Sequence, residues 1–284
     1  MMINHHAKWI QQILNLQHAD GSWGYFHTLS NPTKEQPMTT EQALRRLHVL
    51  GLTKDDEPIK RAIAYMEWCL AQPVSPVFRE KLHNAQIFSD LMLAANIMRF
   101  DRTNLAALPV ANQWRHILEA AFAEGAYSHA HYVKAYETIF HSKLNPKAGR
   151  LADFVCLYQL ILLRDGLTEK AESSMLDYVI SHPSGIFYVY DKPLKALPET
   201  FASRQTSRWL AALEVIADYR FAPKKLGFAM DYLMQNQLAP GIWDLGQQAK
   251  DGIYFPLSDS WRKAEDRQQD CSARIQKLVG MLTC

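Results

Sequence analysis

The chain has 284 residues and a mass of 32.6 kDa, enough for one large domain or two small ones and for a substantial buried core. Hydrophobic residues make up 48% and charged residues 21%, proportions that exclude a disordered or fibrous chain. Lys and Arg number 31 against 29 Asp and Glu, and a formal charge of +2 gives no general pull towards nucleic acid or anionic lipid.

Helical periodicity dominates from the start. Trp9, Ile10, Ile13, Leu14 and Leu16 form an apolar face with Gln11, Gln12 and Asn15 outside it. Thr39 and Gln42 have the spacing of a capping box that opens a second helix, and Gly51 marks its end. Asp55, Asp56 and Glu57-Pro58 open a third, which Pro73 and Pro76 forbid from continuing. The same signals predict helices near 84–100, 112–124, 129–142, 150–164, 168–181, 204–219, 224–236 and 266–282. The aromatic and β-branched run Gly185-Ile-Phe-Tyr-Val-Tyr190 predicts a short strand or hairpin arm. No Gly/Ser linker or charge block divides the chain, so residues 1–284 read as one all-α domain.

Cys69, Cys156, Cys271 and Cys284 are scattered without a C-x-x-C pair, the usage of reduced thiols. The N-terminal segment lacks the basic start, apolar run and cleavage site of a signal peptide, and a cytoplasmic location is expected. The longest apolar run, Phe154 to Leu163, is interrupted by Gln159. As a helix it reaches about 15 Å, half of a hydrocarbon core, so no membrane span is expected.

Aligning the helix ends exposes a repeat. Gly21-Ser-Trp23, Gly125-Ala-Tyr127, Gly185-Ile-Phe187 and Gly241-Ile-Trp243 each follow an apolar helical segment. The gap from Gly21 to Gly125 is close to twice the later two, which gives five units of roughly 55 residues with two helices each. Helix pairs that cannot bury their faces alone must stack on neighbours, and units this long with sizeable loops fit a closed ring better than an open solenoid.

Leu14-Asn-Leu-Gln17-His-Ala-Asp20-Gly21-Ser22-Trp23-Gly24 resembles the QW repeat of the squalene–hopene cyclase and protein prenyltransferase superfamily. Gln237-Leu-Ala-Pro-Gly241-Ile-Trp243-Asp244 is a second, altered copy, and the Gly125 and Gly185 units lack the Gln. The resemblance implies an α/α toroid of about five to six helix hairpins around a central cavity. Gln17 and Gln237 are expected to cap helix-end carbonyls, and Trp23 and Trp243 to bury large apolar area. The superfamily's activities do not carry over by motif. The sequence holds no Asp-x-Asp-Asp proton donor, and Asp55-Asp56-Glu57-Pro58-Ile59 lacks the last acid of Asp-Asp-x-x-Asp. Asp153-Phe-Val-Cys156 and Asp270-Cys271 have the wrong spacing for the prenyltransferase zinc pair.

Residues that carry chemistry concentrate in three places. His129-Ala-His131-Tyr132 with Glu137 and His141 is the richest set of metal-type ligands, but His129 and His131 diverge on a helix. No metal and no cofactor are expected, and His131 is a candidate ligand contact instead. The loop Tyr254-Phe-Pro-Leu-Ser-Asp259-Ser-Trp261-Arg262, followed by Arg267, Asp270 and Arg274, reads two ways. Either Asp259 or Asp270 is a general acid beside a ligand held by Tyr254, Trp261 and Arg262, or an Asp–Arg network locks the last helix in place. Asp90, flanked by Phe88, Leu91 and Met92, either lines the cavity as a third candidate acid or pairs with Arg99 or Arg102.

The leading expectation is a protein that binds a mostly apolar small molecule in a central cavity, with acid chemistry of a cyclase, lyase or transferase kind. The alternatives are a non-enzymatic scaffold for a protein or peptide, and a carbohydrate-active toroid with paired carboxylates. No nucleic-acid partner is expected.

Overall fold

The computed structural model describes residues 3–27, 33–77, 84–145, 151–251, 255–257 and 260–283. Tyr254 and Asp259 lie outside these residues. Among the described residues the regular structure is almost entirely α-helical, and strand pairing is confined to isolated bridges. The chain forms two compact units, one of Met1–Val110 with Gly252–Asp259, the other of Ala111–Asp251 with Ser260–Cys284.

The first unit contains α1 (Ile3–Leu14), α2 (Thr40–Val49), α3 (Glu57–Leu70) and α4 (Ala85–Met98). The capping box at the start of α2 forms as the spacing predicts. Thr39 Oγ1 accepts the Gln42 amide at 3.3 Å, and Gln42 Oε1 accepts the Thr39 amide at 3.2 Å. Gly51, just past α2, has φ 91°. Helix α3 begins beside Pro58, and the Asp56 carboxylate turns back to accept the Thr53 amide at 2.7 Å. Helix α4, packed against α3, buries side chains on nearly all sides, from Phe88 and Leu91 to Ile97 and Met98. That is the mark of a helix inside the core.

The second unit takes most of α5 (Leu108–Ala121), then α6 (His129–Phe140), α7 (Leu157–Leu162), α8 (Glu169–Ser181), α9 (Arg204–Ile216), α10 (Ala222–Lys225), α11 (Gly227–Gln235) and α12 (Ala264–Leu282). Ser128, Thr168 and Ser203 cap α6, α8 and α9 through their hydroxyls. Trp114, Trp209, Trp243 and Trp261 are buried in this unit, as Trp23 is in the first.

Two segments differ from the periodicity. The helix expected over 150–164 is only Leu157–Leu162, because the backbone ahead of it pairs elsewhere. The Phe187 amide donates to Val155 at 3.0 Å and its carbonyl accepts the Leu157 amide at 3.2 Å. The expected helix over 224–236 is broken at Leu226 into α10 and α11. The expected hairpin near 185–190 is a single tight bridge, Ile186 with Tyr190, turned through Tyr188 at φ 72°. A side chain at Gly185 would run into the carbonyls of Tyr190 and Lys192, so that turn tolerates only glycine.

Candidate functional site

Asp90 is the only ionisable residue of α4. It is half-buried, and Gln86 Nε2 donates to its Oδ1 at 2.7 Å across one helical turn. The amide comes from Gln86 and not from either arginine that the sequence offers as a partner. Gln86 is itself anchored, since its Oε1 accepts the Ser75 amide at 2.9 Å, and Ser75 Oγ is hydrogen-bonded to Ser89 Oγ. Burial pushes the Asp90 carboxyl up from 3.8 to about 6, and the Gln86 hydrogen bond offsets only part of that. A carboxyl tuned this way exchanges a proton close to neutrality, the property a general acid or base requires.

The tail forms a network of buried and half-buried acids and arginines. Trp261 is fully buried, and its Nε1 donates to Asp270 Oδ2 at 2.7 Å. Arg267 grips Asp244 with both arms of its guanidinium, at 2.5 and 2.7 Å, and also donates to the Trp261 carbonyl at 3.3 Å. Arg274 grips Glu214 in the same bidentate way, at 2.5 and 2.9 Å, and donates to Ser207 Oγ and the Ser207 carbonyl. Ser207 Oγ in turn donates to Asp251 at 2.8 Å. Burial would raise the Asp244 carboxyl, but the Arg267 guanidinium and the Gly246 amide hold it below its ordinary value. The Arg274 and Arg267 contacts tie α12 to α9 and to the Trp243 turn, and the Trp261–Asp270 hydrogen bond ties the preceding loop to α12. Arg262 stands exposed next to them, and His131 is half-buried in the first turn of α6.

The two tryptophan turns are built alike. Trp23 Nε1 donates to the Ile13 carbonyl at 2.8 Å, and Trp243 Nε1 to the Leu233 carbonyl at 2.7 Å, each ten residues back. Each tryptophan amide donates to a hydroxyl of a later helix, Thr40 at 2.9 Å and Ser272 at 3.0 Å. Gly21 and Gly241 carry φ 92° and 75°. The glutamines differ. Gln17 Nε2 donates to the Gly21 carbonyl at 3.0 Å and to Pro58 in the first turn of α3 at 2.9 Å, while Arg61 donates to its Oε1 at 2.6 Å. Gln17 therefore ties its turn to a helix start, where a helix end is the expected target. Gln237 makes neither bond and points its amide at Met234 Sδ. Gln276 of α12 serves the Gly241 carbonyl instead, at 2.9 Å.

A further cluster carries no signal in the sequence. Asp153 Oδ2 accepts from Tyr178 at 3.0 Å and lies 3.3 Å from His182 Nε2, while its Oδ1 accepts the Val155 amide at 3.0 Å. Burial acts to raise the Asp153 carboxyl, but these donors, His182 first, leave it below its ordinary value. His182 Nδ1 donates to the Gly185 carbonyl at 3.1 Å, so both ring nitrogens have a protein partner. The Tyr127 ring lies 4.4 Å from that of Tyr178, and its hydroxyl meets His129 Nδ1 at 3.1 Å. Asp153 and His182 are distant in sequence, and only the fold joins them.

Glu137 and His141 do not converge with these histidines, since Glu137 accepts the Leu144 amide and His141 ends α6 at φ 49°. Among the described residues no three His, Cys, Asp or Glu side chains are placed to hold one metal ion. Among them also, no helix is long and apolar enough to cross a membrane. Cys69 and Cys271 are buried thiols, pushed up to about 11 and about 12 chiefly by burial. No family model, curated protein or solved structure matches the chain.

Proposed function

We propose that the chain is an α/α toroid related to the squalene–hopene cyclase and protein prenyltransferase superfamily, and that it binds a mostly apolar small molecule with Asp90 as its proton-exchanging group. The observation that carries the chemistry is Asp90 itself, a half-buried carboxyl with one hydrogen bond on a helix that is otherwise apolar and uncharged. An acid in such a place keeps a proton that an exposed carboxyl has lost, and delivers it without competition from bulk water. The kinship is supported by the shared hydrogen-bond scheme of the Trp23 and Trp243 turns. Asp270 is a weaker candidate because the Trp261 indole already occupies it.

The test is extraction of the purified protein with organic solvent, followed by mass spectrometry, on the wild type and Asp90→Asn. An apolar molecule recovered from both, and converted only by the wild type, is the expected result. Wild-type protein that carries no apolar molecule, and whose melting point responds to none, refutes the proposal.

A second reading, a scaffold for a protein or peptide, is favoured by the exposed apolar side chains Met234, Leu238 and Ile242 around one turn. On that reading Leu238→Glu abolishes partner binding and leaves small-molecule binding unchanged.

A further inference from the structure

Helix α7 is buried at all six positions, and Gln159 in its middle has no exposed surface. Neither Nε2 nor Oε1 of Gln159 has a hydrogen-bond partner among the described residues. The rest of α7 is apolar but for the Tyr158 hydroxyl, and the Gln159 carbonyl accepts the Leu163 amide at 3.0 Å. A second buried donor of the same unit, Trp114 Nε1, also lacks a partner among the described residues. Trp114 packs on Tyr136, whose ring is 6.4 Å from that of Tyr132, and Tyr132 lies within electrostatic reach of Cys156 at the head of α7. Buried side-chain amides nearly always find partners, and where protein supplies none a bound molecule does.

We infer that Gln159 is the polar anchor of an interior binding site in this unit, filled by a hydroxyl group that donates to Oε1 and accepts from Nε2. The amide presents a donor and an acceptor side by side, and a hydroxyl is the smallest group that serves both. A carboxylate only accepts and an ammonium only donates, and either would bring a net charge into an apolar interior. Two molecules supply that chemistry, a trapped water and the hydroxyl of an apolar alcohol. The alcohol is the source that rests on the function proposed above, with Leu157, Leu160 and Ile161 making the interior apolar along α7.

The experiment compares wild type with Gln159→Met, an unbranched apolar replacement of similar length. Thermal unfolding is recorded with no addition, with 1-dodecanol and with dodecane. Intrinsic tryptophan fluorescence of the wild type, titrated with both probes, keeps the test decisive if the variant does not fold. For the alcohol, 1-dodecanol binds the wild type about tenfold tighter than dodecane, and the variant loses that preference (about 1.4 kcal/mol). For the water, neither probe is preferred and the variant alone melts lower, by about 2–4 °C. A variant that melts at or above the wild type, with no preference for the alcohol in either protein, overturns the inference. Equal binding of both probes in that case leaves the apolar-ligand proposal standing while the Gln159 site falls.

Discussion

Replacing Asp90 by Asn is expected to stabilise the protein at neutral pH and to do nothing at acid pH. The folded carboxyl is held at about 6 against an ordinary 3.8, so between these values the folded state keeps a proton that the unfolded state has released. The stability this proton brings is complete below 3.8 and is lost as the pH rises through 6. At about 1.4 kcal/mol per tenfold the whole gap caps at about 3 kcal/mol. Asp90 stays partly in contact with water, which screens its charge and brings the expected figure to the order of 1–2 kcal/mol. Asn stays uncharged at every pH, and its carbonyl still accepts the Gln86 amide at the Oδ1 position. Urea unfolding followed by circular dichroism at several pH values measures the difference. Asp90→Asn should gain its full margin above pH 7 and converge with the wild type near pH 4, with the urea dependence unchanged. A margin that does not vary with pH, or a loss of stability at pH 7, refutes both the burial argument and the acid assigned to Asp90. A stabilising substitution here would agree with the acid role proposed for Asp90, which needs a carboxyl held where it costs stability.

The other predictions concern the turns, the tail and the second cluster. Trp23→Phe and Trp243→Phe each remove the indole donor to a carbonyl ten residues back, and each should cost about 2–4 kcal/mol in denaturant unfolding. A cost under 1 kcal/mol at either position would show that the two turns are not equivalent. Arg267→Ala strands the part-buried Asp244 carboxylate and is expected to cost about 1–3 kcal/mol, whereas Arg262→Ala, on the exposed side, should change stability by no more than about 0.5 kcal/mol. Equal losses at the two arginines would contradict the lock described for the tail. Asp153→Asn should destabilise above pH 3.8, where the wild-type carboxylate is ionised and held by His182 and Tyr178. That loss should fade as the pH falls through the depressed folded value, and thermal melts from pH 2 to pH 7 would show a flat difference if the network contributed nothing.

Local chemistry was legible in the sequence, and pairing across distance was not. Thr39 and Gln42 cap one helix within four residues, so their spacing alone fixed the start of α2. The lock in the tail was legible as a type of interaction but not as a set of partners. Arg267 and Arg274 find Asp244 and Glu214, 23 and 60 residues away and outside the tail string in which the sequence placed the network. Asp153 illustrates the limit more sharply. Its spacing to Cys156 is wrong for the zinc pair and suggests nothing else, whereas in the fold it holds His182 and Tyr178. The same contacts explain why the helix expected from residue 150 starts at Leu157. The Val155 amide is committed to Asp153 and the Val155 carbonyl to Phe187, so neither is free to join a helix.

The glutamine of the repeat carries the most general lesson. At the first turn Gln17 serves the Gly21 carbonyl from within the motif. At the second, the motif's own Gln237 turns to Met234, and Gln276 reaches the Gly241 carbonyl from α12. What the two turns share is therefore a demand, a glycine carbonyl that needs an amide donor and an indole that needs a helix-end carbonyl. The residue that meets the demand is free to move along the chain so long as the fold brings it back. A repeat defined by letters at fixed spacing misses such a substitution, whereas one defined by which backbone atom must be satisfied accepts it. The Gly125 and Gly185 turns show the other outcome. Their glycines have positive φ, at 87° and 61°, but Tyr127 joins an aromatic cluster and Phe187 pairs its backbone with Val155 and Leu157, so the glycine conformation occurs there without the tryptophan's contacts.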